Sequence, residues 1–137
     1  MNKEKVVVAL NEALSLEYAS LIQLVTNASY AEGMNAPILR DALHEMASEE
    51  LEHAKQLLER LWVLGAKPTT QVGRIQVAKT PTAILDIQIA EEEMAVKAYS
   101  ELLKKFPRTD VALYETIEAI LEDSIRDLEK LRRLRGA

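Results

Sequence analysis

The apolar residues of this chain recur with helical spacing in four long stretches. In the first, Leu10, Ala13, Leu14, Leu21 and Leu24 share a face. In the second the stripe is Leu43, Met46, Ala47, Ala54, Leu57, Leu58, Leu61 and Leu64. Leu85, Ile89, Val96 and Tyr99 mark the third, and Ile117, Ile120, Leu121, Leu128 and Leu131 the fourth. Residues three, four and seven apart lie on one side of an α-helix, so each stretch predicts an amphipathic helix with that side packed on its neighbours. Breakers set the limits. The first helix is expected from about Lys3 to Glu32, where Gly33 reads as the C′ glycine. Asn35 is the expected N-cap of the second, with Pro37 in its first turn, and Gly65 and Pro68 end it. Thr80 and Pro81 open the third as N-cap and first helical residue, and it stops before Pro107. The fourth starts near Thr109-Asp110 and runs to Gly136. Each piece is roughly 40 Å long at 1.5 Å per residue.

Connections of a few residues follow the first and third helices, so each pairs antiparallel with its successor. Between the second and third lies a long crossover, Gly65 to Lys79. Arg74-Ile75-Gln76-Val77 alternates like a short strand but reads as part of that crossover. The expectation is an all-α, antiparallel four-helix bundle: two helical hairpins joined by one long crossover, forming a single domain over residues 1–137.

Composition narrows the chemistry. The chain has no Cys, which excludes disulfides, cysteine zinc sites, iron–sulfur clusters and thiol catalysis. Seventeen basic and 22 acidic residues give a net charge of −5, the wrong sign for a dedicated nucleic-acid binder. Arg132, Arg133 and Arg135 close the last helix, where positive charge suits the helix C-terminus. The apolar run Val6–Leu10 is broken by Asn11 and Glu12, too soon for a signal-peptide core or a bilayer span. A cytoplasmic protein with no membrane partner is expected.

Polar residues occupy places where core belongs. Glu50 sits at the centre of the second stripe, flanked by Leu43, Met46, Ala47, Ala54 and Leu57, and His53 lies on the same face one turn on. Glu17 has Leu10, Ala13, Leu14, Leu21 and Leu24 at the same five offsets. Glu92 is flanked by Leu85, Gln88, Ile89, Val96 and Tyr99, which makes it the inward member of Glu91-Glu92-Glu93. All three acids lie near the midpoints of their helices, and in an antiparallel bundle midpoints share one layer. One inward Glu is commonly a satisfied buried acid or a register device. Three together need a counter-charge, and Lys55 and Lys97 point away, about 140° round their helices. Unpaired, the acids would be costly to bury or forced to protonate. A divalent cation resolves the conflict, and carboxylates with one imidazole suit iron, manganese or zinc. His44, about 120° off the stripe, reads as a surface residue. Trp62 reads as filling a helix or subunit contact, and Tyr18 and Tyr99 as core residues with a hydroxyl bonded to a Glu.

The stretch Leu43-His44-Glu45-Met46-Ala47-Ser48-Glu49-Glu50-Leu51-Glu52-His53-Ala54, together with inward Glu17 and Glu92, resembles the ferritin-like superfamily of di-iron carboxylate proteins, nearest to bacterioferritin and the rubrerythrin-type domain. The resemblance runs from Leu10 to Leu131. It implies a ferritin-like bundle whose site takes one Glu from each of two helices and a Glu-x-x-His from each of the other two. Carried over, Glu17 and Glu92 are the single acids, and Glu50 and His53 are the first Glu-x-x-His, with Glu50 bridging. The second pair departs from the pattern: the matching positions hold Ser124 and Asp127. Asp127 is retained as a shortened oxygen ligand, and Ser124 binds water or nothing. Glu122 and Asp123, about 160° and 100° round the helix from Ser124, are poor substitutes.

The resemblance thus implies one firmly bound ion on Glu17, Glu50 and His53 and a weak or empty second position on Glu50, Glu92 and Asp127. The expected cofactor is iron, or manganese or zinc, at one or two ions per chain. Leu51 stands where a haem-ligating Met would be, so no haem is expected. The sequence closes at Ala137 without the short fifth helix of cage-forming ferritins, which favours a homodimer over a large shell. Without Cys there is no rubredoxin-type domain, which argues against a classical peroxidase. The expected function is metal binding with slow ferroxidase or oxidase activity towards dioxygen or peroxide. The alternatives are a non-catalytic scaffold or regulatory module with a structural metal, and a metal-free bundle with protonated acids.

Overall fold

The computed structural model describes residues 2–136, so the outermost positions of the expected domain, 1 and 137, lie outside the described residues. Four helices follow in order: α1 (Lys3–Tyr30), α2 (Ala36–Val63), α3 (Pro81–Lys105) and α4 (Val111–Arg135). No strand occurs among the described residues, and 74–77 are irregular, as the crossover reading required.

Local chemistry explains most of the boundaries. The Asn2 side chain accepts from Lys5 N at 2.9 Å and caps α1. Thr80 Oγ1 accepts from Ala83 N at 3.3 Å, with Pro81 at the first helical position. Gly65, at φ 68°, lets Gly65 N reach Trp62 O and Ala66 N reach Leu61 O, a Schellman closure of α2. Two expectations need correction. α1 ends at Tyr30, three residues before Gly33, so Gly33 shapes the turn and is not the C′ residue. Asn35 precedes α2 without a side-chain cap bond; its ψ near 4° is already close to helical, so the carboxamide does not fold back over the first turn.

α1 packs extensively on α2, and α3 on α4, while α1–α3 and α2–α4 meet more sparsely. The two hairpins therefore face each other. The crossover runs back along α1 and is tied to it by α1's own polar side chains. Asn11 Oδ1 accepts from Thr69 N, Gln23 Oε1 from Gln76 N, and Asn27 Oδ1 from Ala78 N. Gly73 N reaches Ser15 O at 3.3 Å, and a Cβ at position 73 would lie 3.3 Å from the Ala19 methyl. A glycine therefore lets the strap lie this close to the helix.

Two apolar clusters fill the interior. One gathers Leu10, Leu14, Leu57, Leu61, Ile117 and Ile120, and the other Leu24, Leu43, Met46, Ile84, Leu85 and Leu131. The predicted stripes supply both, as the helical spacing requires. Between them lies a buried polar layer at the level of Glu17, Glu50, Glu92 and Ser124. Trp62, by contrast, is 80% exposed and fills no contact within the chain: at the end of α2 its ring projects beyond the helix's buried face. No helix among the described residues is long and apolar enough to cross a membrane.

Candidate metal centre

Every inward acid picked out by spacing is buried in this layer. Glu17, Glu50, His53, Glu92, Ser124 and Asp127 are each at most 5% exposed. They come from all four helices, and they fall into two groups that share Glu50. Glu17, Glu50 and His53 each offer a donor atom within 4.8 Å of the others, and so do Glu50, Glu92 and Asp127. His44, Lys55 and Lys97 are exposed, as their angular positions required.

Each ligand group has a distinct environment. His53 Nδ1 faces Glu17 Oε2 at 3.6 Å and Glu50 Oε2 at 3.9 Å, beyond hydrogen-bond length in both directions. Its other nitrogen, Nε2, lies 2.8 Å from Asp123 Oδ2. Tyr99 donates its hydroxyl to Glu17 Oε1 at 2.5 Å, the packing role expected of it. Several buried polar atoms have no hydrogen-bond partner, among them Glu17 Oε2, His53 Nδ1, Glu92 Oε2 and Asp127 Oδ2. Such orphans are rare in protein interiors and call for a ligand. Four of them converging on one layer fit a bound cation.

The proton affinities agree. Burial drives Glu50 well above the usual carboxyl range, and the Glu17 charge adds to it. Burial, again reinforced by Glu17, pushes Glu92 to about 8. Burial, with Glu49 next in importance, takes Asp127 to about 9. His53 goes the other way from a buried base: burial lowers it, but the Glu17 and Glu50 carboxyl groups outweigh that and raise it to about 11. Burial also acts upward on Glu17, yet the neighbouring Glu50 and His53 and the hydrogen bond from Tyr99 prevail and hold it below the ordinary value. Without a cation, then, the layer favours the protonated forms of His53, Glu50, Glu92 and Asp127 and the ionised form of Glu17. A metal ion would displace those protons.

Three features escaped the sequence. Asp123 is correctly off the central stripe and does not join either donor group, but it reaches sideways to α2 and fixes His53. Glu49 stands one residue before Glu50 as Asp123 stands one before Ser124, and its carboxyl group helps to raise the proton affinity of Asp127. The signal was this matched placement on two helices, read as pairs. Glu91 is half-buried rather than outward, because Gln23 Nε2 donates to it at 3.1 Å and draws it towards α1. A cavity of about 280 Å³ between α1 and α3 reaches Glu17, Glu50 and Glu92 from outside, roofed by Arg74 and Gln76 of the crossover.

Fold and site together define a four-helix bundle with a carboxylate–histidine layer suited to metal ions. Residues 7–136 match the ferritin-like domain family, and the chain belongs to that family. It is 28% identical over 123 residues to a bacterioferritin of Desulfovibrio desulfuricans, a match covering 88% of this chain and 69% of that protein. Among solved structures, it is similar to a ferritin-like di-iron carboxylate protein from Bacillus anthracis, with TM-score 0.89, 26% identity and coverage of 99% and 100% of the two chains. It also shares its fold with a dodecameric thioferritin, the bacterioferritin-related protein of Bacteroides fragilis, at TM-score 0.91 and 20% identity over 98% of this chain and 86% of that one.

Proposed function

We propose that this protein is a single-domain, cytoplasmic ferritin-like metal binder that takes iron, or manganese, on Glu17, Glu50, His53, Glu92 and Asp127 and oxidises ferrous iron slowly. The observation that supports this most is the convergence of unpartnered buried oxygens and one imidazole nitrogen from four helices. Family membership and the di-iron carboxylate relative add to it. When bound, two ferrous ions side by side would supply two electrons to dioxygen or peroxide. The chain's part is to hold and neutralise charge. Glu17, Glu50 and His53 provide a nitrogen–oxygen position, with Asp123 keeping His53 Nδ1 turned inward and Tyr99 fixing Glu17. Glu50, shared between the groups, would bridge. Glu92 and Asp127 supply the second position with oxygens alone, and Ser124 contributes no carboxylate there. That loss underlies the slow turnover in this reading.

The same loss favours a second reading, a non-catalytic ferritin-like scaffold whose metal is structural. Assembly as a homodimer is proposed for either, and a cage like that of the dodecameric relative is the competing outcome. Metal content per chain, measured by elemental mass spectrometry on untagged native protein alongside ferrous oxidation rates, separates these readings. Two ions and oxidation faster than the buffer blank support the oxidase. One ion and no acceleration support the scaffold. No metal, even after reconstitution, would sink both, leaving the metal-free bundle. Ser124→Glu combined with Asp127→His should raise two-ion occupancy and quicken oxidation if the oxidase reading holds.

A further inference from the structure

The two donor groups of the polar layer differ in kind, and we propose that they hold two different cations: a borderline ion of the zinc or ferrous type on Glu17, Glu50 and His53, and a hard, oxygen-seeking ion of the manganese type on Glu50, Glu92 and Asp127. This rests on the metal-binding part of the reading above, not on oxidation by two ferrous ions, and assigns an ion type to each position.

The asymmetry follows from two residues. Ser124 and Asp127 stand on α4 where Glu50 and His53 stand on α2, so one half of the layer has an imidazole and the other has none. Among the described residues, His53 is the only buried basic side chain, and it lies with Glu17 and Glu50. Imidazole suits zinc, iron, nickel and copper, whereas carboxylate and water suit manganese, magnesium and calcium. The second group is more than a cluster of acids. Glu92 and Asp127 are 2% and 5% exposed, yet Glu92 Oε2 and Asp127 Oδ2 have no hydrogen-bond partner. Glu49 Oε2, beside Asp127, is buried and unpartnered as well. Two basic residues of α4 are paired with other acids: Arg126 with Glu122 and Asp123, and Lys130 with Glu45. This half therefore gathers oxygen donors alone, with no basic side chain among its own three members. Ser124, 2% exposed, puts a small hydroxyl where α2 has the Glu50 carboxylate, so the donors around Asp127 are oxygens alone, the set that suits an octahedral oxygen-loving ion.

Zinc binds most protein sites more tightly than manganese, so the discriminating quantity is the ratio of the two metals between positions. The full chain, stripped of metal, is given one equivalent each of Zn²⁺ and Mn²⁺ and crystallised, and anomalous scattering is recorded at both absorption edges. The expected result is one ion of each per chain, with zinc enriched at least about tenfold at the His53 position over the Asp127 position. Mn²⁺ held beside diamagnetic zinc also gives an uncoupled six-line spin-resonance spectrum, whereas paired manganese ions would couple. Equal zinc-to-manganese ratios at both positions would overturn the inference while leaving the two-ion reading intact. An ion at the His53 position alone would overturn it too. Binding of neither ion would defeat the metal-binding reading itself. Asp127→His should bring the ratio at the two positions together, and an unchanged bias would refute the donor argument. If that variant does not fold, Asp127→Asn, of the same size, should lose manganese and keep zinc; retention of both would overturn the inference.

Discussion

His53 Nε2 lies 2.8 Å from Asp123 Oδ2, a contact between α2 and α4 that decides which ring nitrogen faces the carboxylate layer. With Nε2 carrying the proton shared with Asp123, Nδ1 is the nitrogen left for Glu17, Glu50 and any ion they hold. A carboxylate behind a ligating histidine fixes the tautomer and ring orientation, and its removal typically costs 10–100-fold in metal affinity. Asp123→Ala should accordingly weaken binding of the first ion by about that factor, measured by competition against a chromophoric chelator. Asp123 is a third exposed, so the apo fold should be little affected. Unchanged affinity would mean that the contact is incidental.

Tyr99 is fully buried, and its hydroxyl has Glu17 as partner. Tyr99→Phe keeps the ring and removes the donor. Leaving a buried carboxylate one bond short costs about 1–3 kcal/mol, so urea denaturation of the apo protein should show a loss in that range with an unchanged slope. A neutral outcome would place the counter-charge of Glu17 entirely on His53.

The apo protein should lose stability as pH rises. Glu92 and Asp127 have folded values near 8 and 9 against unfolded values near 4, so the native state binds more protons between those limits and stability falls across them. His53 acts in the same sense. Its folded value near 11 exceeds the unfolded 6.5, so its contribution is complete below pH 6.5 and fades above it. Each such proton is worth up to about 1.4 kcal/mol per pH unit. Metal uptake releases the same protons, so the stabilisation by metal should grow with pH. Melting curves from pH 5 to 8 should therefore fall for the apo form and flatten or rise with metal; parallel curves would contradict the coupling.

Asn27 holds the crossover at two points, donating Nδ2 to Gln76 O and accepting from Ala78 N, both at 3.0 Å. Asn27→Ala leaves both backbone groups without this partner. A loss of about 1–3 kcal/mol is expected, together with faster proteolysis within 70–79, checked by denaturation and limited digestion. Resistance equal to that of the native protein would show that Gln23 and Gly73 suffice to hold the strap.

Periodicity made the helices legible because an amphipathic helix must place its apolar residues three and four apart to bury them. The same arithmetic found Glu17, Glu50, His53 and Glu92, since an acid within an apolar stripe has nowhere to point but inward. It located Ser124 and Asp127 by offset, and both are buried in the same layer as the other four. Lateral contacts were not legible. Asp123, Glu49 and Glu91 lie off their stripes, and whether such a side chain meets solvent or a neighbouring helix depends on how close that helix passes.

The chain by itself determined four helices, their pairing and the residues that face inward, because these follow from local geometry and from the short links that force neighbours antiparallel. Tertiary structure decided the rest. It set which nitrogen of His53 faces the acids, divided five donor residues into two overlapping groups, and seated the crossover on α1 through Gln23 and Asn27. Those outcomes depend on distances of a few ångströms between segments far apart in sequence, and such distances exist only once the hairpins have packed face to face.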